Sequence, residues 1–176
     1  NDRLYKALGW DGEHYTAVTD TFSIEIFPDQ WELMEGKYYT LDSGTQEILS
    51  WWDLPVSSAE IEDISNYEEQ VFLAFGRKLV RWDVSTGDTL VVDTSETDYT
   101  GITAGENTLY AYDDDPSKEL LLEMDHDFTI QKSYVVILSD APSQKLNISG
   151  YLALDSEGKL WTISSGEIYR ITLIGE

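Results

Sequence analysis

The stretch beginning at Tyr5, YKALGWDGEHYTAVTDTFSIEIF, can be laid over the stretch beginning at Tyr151, YLALDSEGKLWTISSGEIYRITL, without a gap. Tyr5 falls on Tyr151, Ala7 on Ala153, Leu8 on Leu154, Gly12 on Gly158 and Thr16 on Thr162. Both stretches alternate apolar and polar residues across a Gly turn, the period-two pattern of a half-buried strand. A strand-turn-strand unit cannot bury its apolar face alone, so a chain that repeats one must stack its copies against each other.

Further copies fit between these two. Trp31 to Glu35 leads to Gly36 and KYYTLDSGTQEILSWW, and Gly36-Lys37-Tyr38-Tyr39-Thr40-Leu41 mirrors Gly158-Lys159-Leu160-Trp161-Thr162-Ile163. Val71 to Gly76 leads into a third copy, and Gly101 to Asp115 followed by KELLLEM makes a fourth. Turn glycines at 12, 36, 76, 105 and 158 mark five copies at uneven spacing. The longer gaps hold extra candidate strands at Ala59–Ile64 and Phe128–Leu138, which fit as inner or outer strands of four-stranded units. The spacing i, i+3, i+4, i+7 of an amphipathic helix fills no full window; Ser58 to Gln70 is where a single helical turn fits.

The clearest copy is Arg77 to Asp93. Leu79, Val80 and Trp82 precede the turn Asp83-Val84-Ser85-Thr86-Gly87, and Leu90, Val91 and Val92 follow it, a hairpin signal. Leu41-Asp42-Ser43-Gly44 followed by Trp51 is a shorter instance. A strand, then Asp-x-x-Thr-Gly, then a strand resembles the repeats of PQQ-type and WD40-type β-propellers. The resemblance implies an all-β, propeller-like array of about four to five short antiparallel blades within one domain, residues 1–176, or a part of a larger propeller. It speaks to fold rather than activity. The fourth copy has Asp113-Asp114-Asp115-Pro116 in place of Thr-Gly and the fifth has Ser164-Ser165-Gly166. The adjacent cysteine pair of many quinone dehydrogenases has no counterpart, so no quinone cofactor is implied. Closure of the array predicts pairing of Arg3–Ala7 with Ile168–Leu173.

Composition narrows the partners. The chain has no cysteine, which excludes disulfides, thiol catalysis and cysteine zinc sites. Its 34 Asp and Glu against 11 Lys and Arg give a net charge of −23, which argues against a nucleic-acid partner, since phosphate binding needs a basic footprint. Solubility, cation binding and a basic protein partner each account for such acidity. Hydrophobic residues at 41% are too many for a disordered acidic chain, so the acids coat a core. No apolar run approaches the ~18–20 residues of a membrane span. An N-terminal Asn1 without methionine or leader reads as a processed chain or a piece of a longer one.

Chemistry-bearing motifs are few. His14 and His126 are the two histidines, the second within Asp125-His126-Asp127, and both read as turn residues. No HExxH helix, GxSxG elbow or GxxxxGK[ST] loop is present, and no residue is assigned a catalytic role. Calcium is the one cofactor the acids suggest, at Asp113, Asp114 and Asp115 and at Asp155 and Glu157, although neither turn matches an EF-hand loop. Trp51 and Trp52 are adjacent in a strand, so one of them faces outward and offers a platform for a ligand or partner. Asn147-Ile148-Ser149 fits the N-glycosylation pattern. Turns around Asp42, Asp83, Asp113 and Ser164 form the expected partner face. The reading is a non-catalytic module that binds a protein or a larger assembly, outside the cytoplasm or on an envelope or virion surface. The alternatives are a carbohydrate-binding or carbohydrate-active propeller, and a part of a larger propeller with no activity of its own.

Overall fold

A computed structural model of the chain describes residues 5–20, 22–27, 30–34, 36–93, 98–115, 119–137, 146, 148 and 151–173; at residues 5, 22–27 and 30–34 it describes the backbone only. The alternating segments form β1 (Tyr5–Trp10), β2 (Tyr15–Thr19), β3 (Phe22–Phe27), β4 (Gln30–Met34), β5 (Lys37–Leu41) and β6 (Ile48–Asp53). A single 3-10 turn, Ser58–Glu60, precedes β7 (Ile61–Tyr67), β8 (Gln70–Phe75), β9 (Lys78–Asp83) and β10 (Thr89–Asp93). Then come β11 (Tyr99–Ala104), β12 (Leu109–Asp113), β13 (Leu120–Met124), β14 (Ile130–Val135), β15 (Leu152–Leu154), β16 (Leu160–Ser164) and β17 (Glu167–Ile171). The 3-10 turn falls where the sequence tolerates one.

These strands make four antiparallel sheets around a common axis, hereafter blades. Blade 1 is β1-β2-β5-β6, blade 2 is β7-β8-β9-β10, blade 3 is β11-β12-β13-β14 and blade 4 is β15-β16-β17, each written from the innermost strand outward. The innermost strands run parallel. Lys6 Nζ donates to Ala59 O in the 3-10 turn just before β7, while Asn66 near the end of β7 accepts from Thr16 Oγ1 at 2.8 Å, opposite Gly9 of β1. Between β7 and β11, Ile102 N reaches Asp63 Oδ2 and Ala104 N reaches Ser65 Oγ, both at 2.9 Å.

The gapless overlay of the two chain ends has a structural basis: it sets β1 and β2 of blade 1 on β15 and β16 of blade 4. Gly12 and Gly158 occupy equivalent turns at φ of 105° and 73°, backbone that side-chain-bearing residues disfavour. The extra strands foreseen at Ala59–Ile64 and Phe128–Leu138 are the innermost strand of blade 2 and the outermost of blade 3. Copies one and two, by contrast, share one sheet. The hairpin β3-β4 is inserted between β2 and β5, which pair directly, so five turn glycines correspond to four blades.

Closure departs from the expected pairing. Tyr5 pairs with Thr19 and Ala7 with Val18 inside blade 1, and the partner of β17 among the described residues is β16. As the innermost strand, β1 is held by β2 and aims its free edge at the axis. Arg3 and Leu4 lie outside the described residues.

The core is the set of blade-to-blade junctions. Val18 and Tyr38 of blade 1 meet Ile64, Leu73, Val80 and Trp82 of blade 2. Phe72, Ala74 and Leu79 of blade 2 meet Ile102, Leu109, Leu122 and Phe128 of blade 3. Tyr112 and Leu121 of blade 3 meet Leu152 and Leu160 of blade 4, together with Val136, Leu146 and Ile148. Each large apolar side chain removed from water here contributes ~1.5–3 kcal/mol, so stability resides between blades rather than within one.

Candidate functional site

Strand alternation sorts the turns into two ends. Turns joining first to second and third to fourth strands lie at one end; turns joining second to third strands, and the links between blades, lie at the other. At the first end an aspartate opens five turns and folds its carboxylate back onto the backbone. Asp83 Oδ1 accepts from Ser85 N and Thr86 N at 2.9 Å and from Ser85 Oγ at 2.7 Å. Asp42 Oδ1 accepts from Gly44 N at 2.9 Å, Thr45 N at 2.7 Å and Thr45 Oγ1 at 3.0 Å. The two loops superpose residue for residue, with Gln46 at φ 60° where the other has Gly87 at φ 80°.

Asp11 accepts from the N–H groups of Glu13 and His14 at 2.9 and 2.7 Å. Asp125 accepts from Asp127 N at 3.0 Å and Thr129 N at 2.9 Å, and Asp155 from Glu157 N and Lys159 N, both at 2.9 Å. Hydrogen bonds to an ionised carboxylate favour that form. The Thr45 N–H holds Asp42 below its ordinary value, the Ser85 hydroxyl holds Asp83, the Thr129 N–H holds Asp125, and the Trp161 indole, 2.9 Å away, holds Asp155. These groups stay charged while serving as rigid turn pins.

Around the pins the five turns carry Glu13, Glu47, Asp88, Asp127 and Glu157, and two further turns at the same end carry Glu68 and Glu69 between β7 and β8 and Glu106 between β11 and β12. Arg81 Nη1, at 2.6 Å from Asp127 Oδ1, and Lys159, paired with Glu157, are cations at this end. Trp10 and Tyr15 flank the first turn edge to face at 5.1 Å, 47% and 46% exposed. The result is a rigid, acidic end with an aromatic pair.

The foreseen partner face divides between the two ends. Asp42 and Asp83 share the acidic end, whereas the turns at Asp113 and Ser164 join second to third strands and lie opposite. Calcium candidates divide likewise. Asp155 and Glu157 are at the acidic end, and Asp155 already accepts three hydrogen bonds. Asp113 is buried and accepts from Asp115 N at 2.9 Å, and burial together with Glu119, Asp113 and Asp98 pushes Asp114 up. Among the described residues no three acidic or histidine groups converge as metal ligands. Trp51 is 57% exposed with Lys37 Nζ 5.1 Å from its ring centre, while Trp52 turns inward onto Tyr38 at 5.6 Å. His14 lies 3.3 Å from Asp11, and His126 bonds Gly105 O at 2.9 Å and packs on Phe72 and Tyr67. Asn147 and Ser149 lie outside the described residues.

The sequence reading misses the polar groups of the interior. Asp63, 3% exposed on β7, accepts from Ile102 N of blade 3 and is also held by the N–H groups of Ile64 and of Leu152 in blade 4. Burial pushes its carboxyl up to about 8 against those bonds. Thr16 Oγ1, the Asn66 amide and Tyr38 Oη form a second buried chain between blades 1 and 2, at 2.8 and 2.7 Å. The one signal was an acid interrupting the apolar positions Ile61 and Ile64.

No protein-family model and no curated protein sequence matches the chain. Solved structures do resemble it. Glutaminyl cyclase of Myxococcus xanthus aligns over 96% of this chain and 66% of its own, at 14% identity and a TM-score of 0.65. A chain of the nidogen/laminin complex aligns over 93% and 57%, at 13% identity and a TM-score of 0.60. The β-propeller domain of Myceliophthora thermophila Cps50 (Swd1) aligns over 92% and 49%, at 13% identity and a TM-score of 0.56. The fold is a four-bladed β-propeller. This chain spans about two thirds or less of each of those three, and identities this low speak to the propeller fold alone.

Proposed function

We propose that this propeller is a non-catalytic binding module that engages a basic protein surface through its acidic end. The observation that supports it most is the set of five Asp-pinned turns, which hold carboxylates in fixed positions beside the exposed Trp10–Tyr15 pair. A rigid array pays little ordering entropy on binding, and its potential speeds encounter with a cationic partner. Two of the solved structures with a similar fold come from complexes, the nidogen/laminin complex and the mitotic checkpoint complex. Placement outside the cytoplasm or on a larger assembly belongs to this reading and rests on composition.

The test is a calorimetric titration with a lysine-rich peptide, with an acidic peptide of equal length as control. Binding of the lysine-rich peptide that weakens steeply with salt, and that is lost in a Glu68→Lys, Glu69→Lys, Glu106→Lys variant, supports the reading. Equal response to both peptides, or none, overturns it. Calcium and a glycan array in parallel titrations report on the two other ligand classes.

A further inference from the structure

Three of the four blade junctions are filled by the apolar clusters described above. Between blade 4 and blade 1 no comparable contact joins the described residues, and two sheet faces carry exposed apolar side chains. On blade 4, the alternation that turns Leu152 and Leu160 toward blade 3 turns Ala153, Trp161, Ile163 and Ile168 the other way; Ile163 is 42% and Ile168 72% exposed. On blade 1, Val18, Tyr38 and Trp52 face blade 2, so the cross-strand row Leu8, Ala17, Tyr39 and Trp51 faces away, with Leu8 and Trp51 exposed at its two ends and Ala17 buried between them. Leu8 is 63% exposed on an innermost strand, where Ile64 and Ile102 of the next two blades are 3% and 0% exposed.

Charge gives an independent observation. In a chain with 34 acids, the uncovered face of blade 4 carries Arg170, and that of blade 1 carries the Lys37–Asp53 pair. Faces made of Ile, Leu, Trp, Tyr and Arg and stripped of unpaired acid have the composition of an interface core.

We propose that a second copy of this chain covers both faces, blade 4 of each copy packing on blade 1 of the other. The occupant follows from the kind of junction. Every filled junction sets the forward face of one blade on the rear face of the next, and the four described blades leave one face of each kind. Two copies related by a two-fold axis satisfy all four faces at once. The net charge of −23 opposes this association, so salt strengthens it, whereas contacts of the acidic end weaken with salt.

Sedimentation velocity over a wide concentration range reads the mass. The expected result is a dimer whose stability grows with salt and which Ile168→Glu converts to a monomer with an unchanged circular dichroism spectrum. Because the chain has no cysteine, Leu8→Cys and Ala153→Cys can be made separately, mixed and treated with a short bismaleimide. Innermost strands meet each other at the filled junctions, so the mixture is expected to give a cross-linked dimer that neither variant gives alone. A monomer at every concentration, a dimer that survives Ile168→Glu, or a cross-link within one chain of the Leu8→Cys, Ala153→Cys double variant overturns the proposal.

Discussion

Two kinds of aspartate do opposite work here. Asp63 is raised to about 8 by burial, so between about pH 4 and pH 8 the folded chain keeps a proton that the unfolded chain releases. Its contribution to stability is full below pH ~4 and declines as pH rises, by up to about 1.4 kcal/mol per pH unit in that window. Strands β1, β8 and β11 pack around β7, and the described titratable side chains on β1, β7 and β11 are Lys6, Glu62, Tyr67 and Tyr99; none of these contributes to the shift, which burial and main-chain N–H groups set. Asp63→Asn is therefore expected to flatten that part of the profile, measured as urea midpoints from pH 4 to pH 8.5; an unchanged slope would contradict the assignment. Asp83, held low by Ser85, behaves the other way: its contribution is present above pH ~4 and lost as pH falls. Asp83→Ala should lower the midpoint at pH 7 and Asp88→Ala should not, since Asp83 accepts three hydrogen bonds in its turn. The turn aspartates were visible in the sequence because Asp-x-x-Thr-Gly is local chemistry. Asp63 was not, because two of its partners, Ile102 and Leu152, come from strands that are distant in the chain.

At the scale of the element, the two superposed loops make a natural comparison. Gln46 takes a left-handed conformation in a loop where its counterpart is Gly87, a strain of about 1 kcal/mol for a residue with a Cβ. Gln46→Gly is expected to raise the melting temperature and Gly87→Ala to lower it, checked by calorimetry on both. Gly36 is a different case. A Cβ there would strike Thr19 O and the Ser58 side chain, where the link after the inserted hairpin presses against blade 2, whereas Gly44 has open space apart from Asp42. Gly36→Ala should destabilise far more than Gly44→Ala. Strand positions were legible from alternation, but which hairpins share a sheet was not. The insertion of β3-β4 spreads blade 1 over two apparent repeats, and the pairing of β2 with β5, from Tyr15–Leu41 to Val18–Tyr38, reveals that they are one.

For the whole molecule, charge and junctions act against each other. The acidic end concentrates carboxylates that repel, while the apolar junctions resist, and nothing in the repeat pattern showed which end each turn would occupy. That follows from strand parity, which is known once the innermost strands are placed. Because repulsion among exposed charges is screened within about 8–10 Å at physiological salt, added sodium chloride should raise the melting temperature of the chain. Chloride and sulfate at equal ionic strength separate screening from general strengthening of apolar burial: if charge dominates, both raise it similarly at low concentration. The Glu68→Lys, Glu69→Lys, Glu106→Lys variant should start from a higher melting temperature at low salt and gain less on adding salt. If it gains as much as the parent, the repulsion that limits stability lies elsewhere than the end where these acids gather.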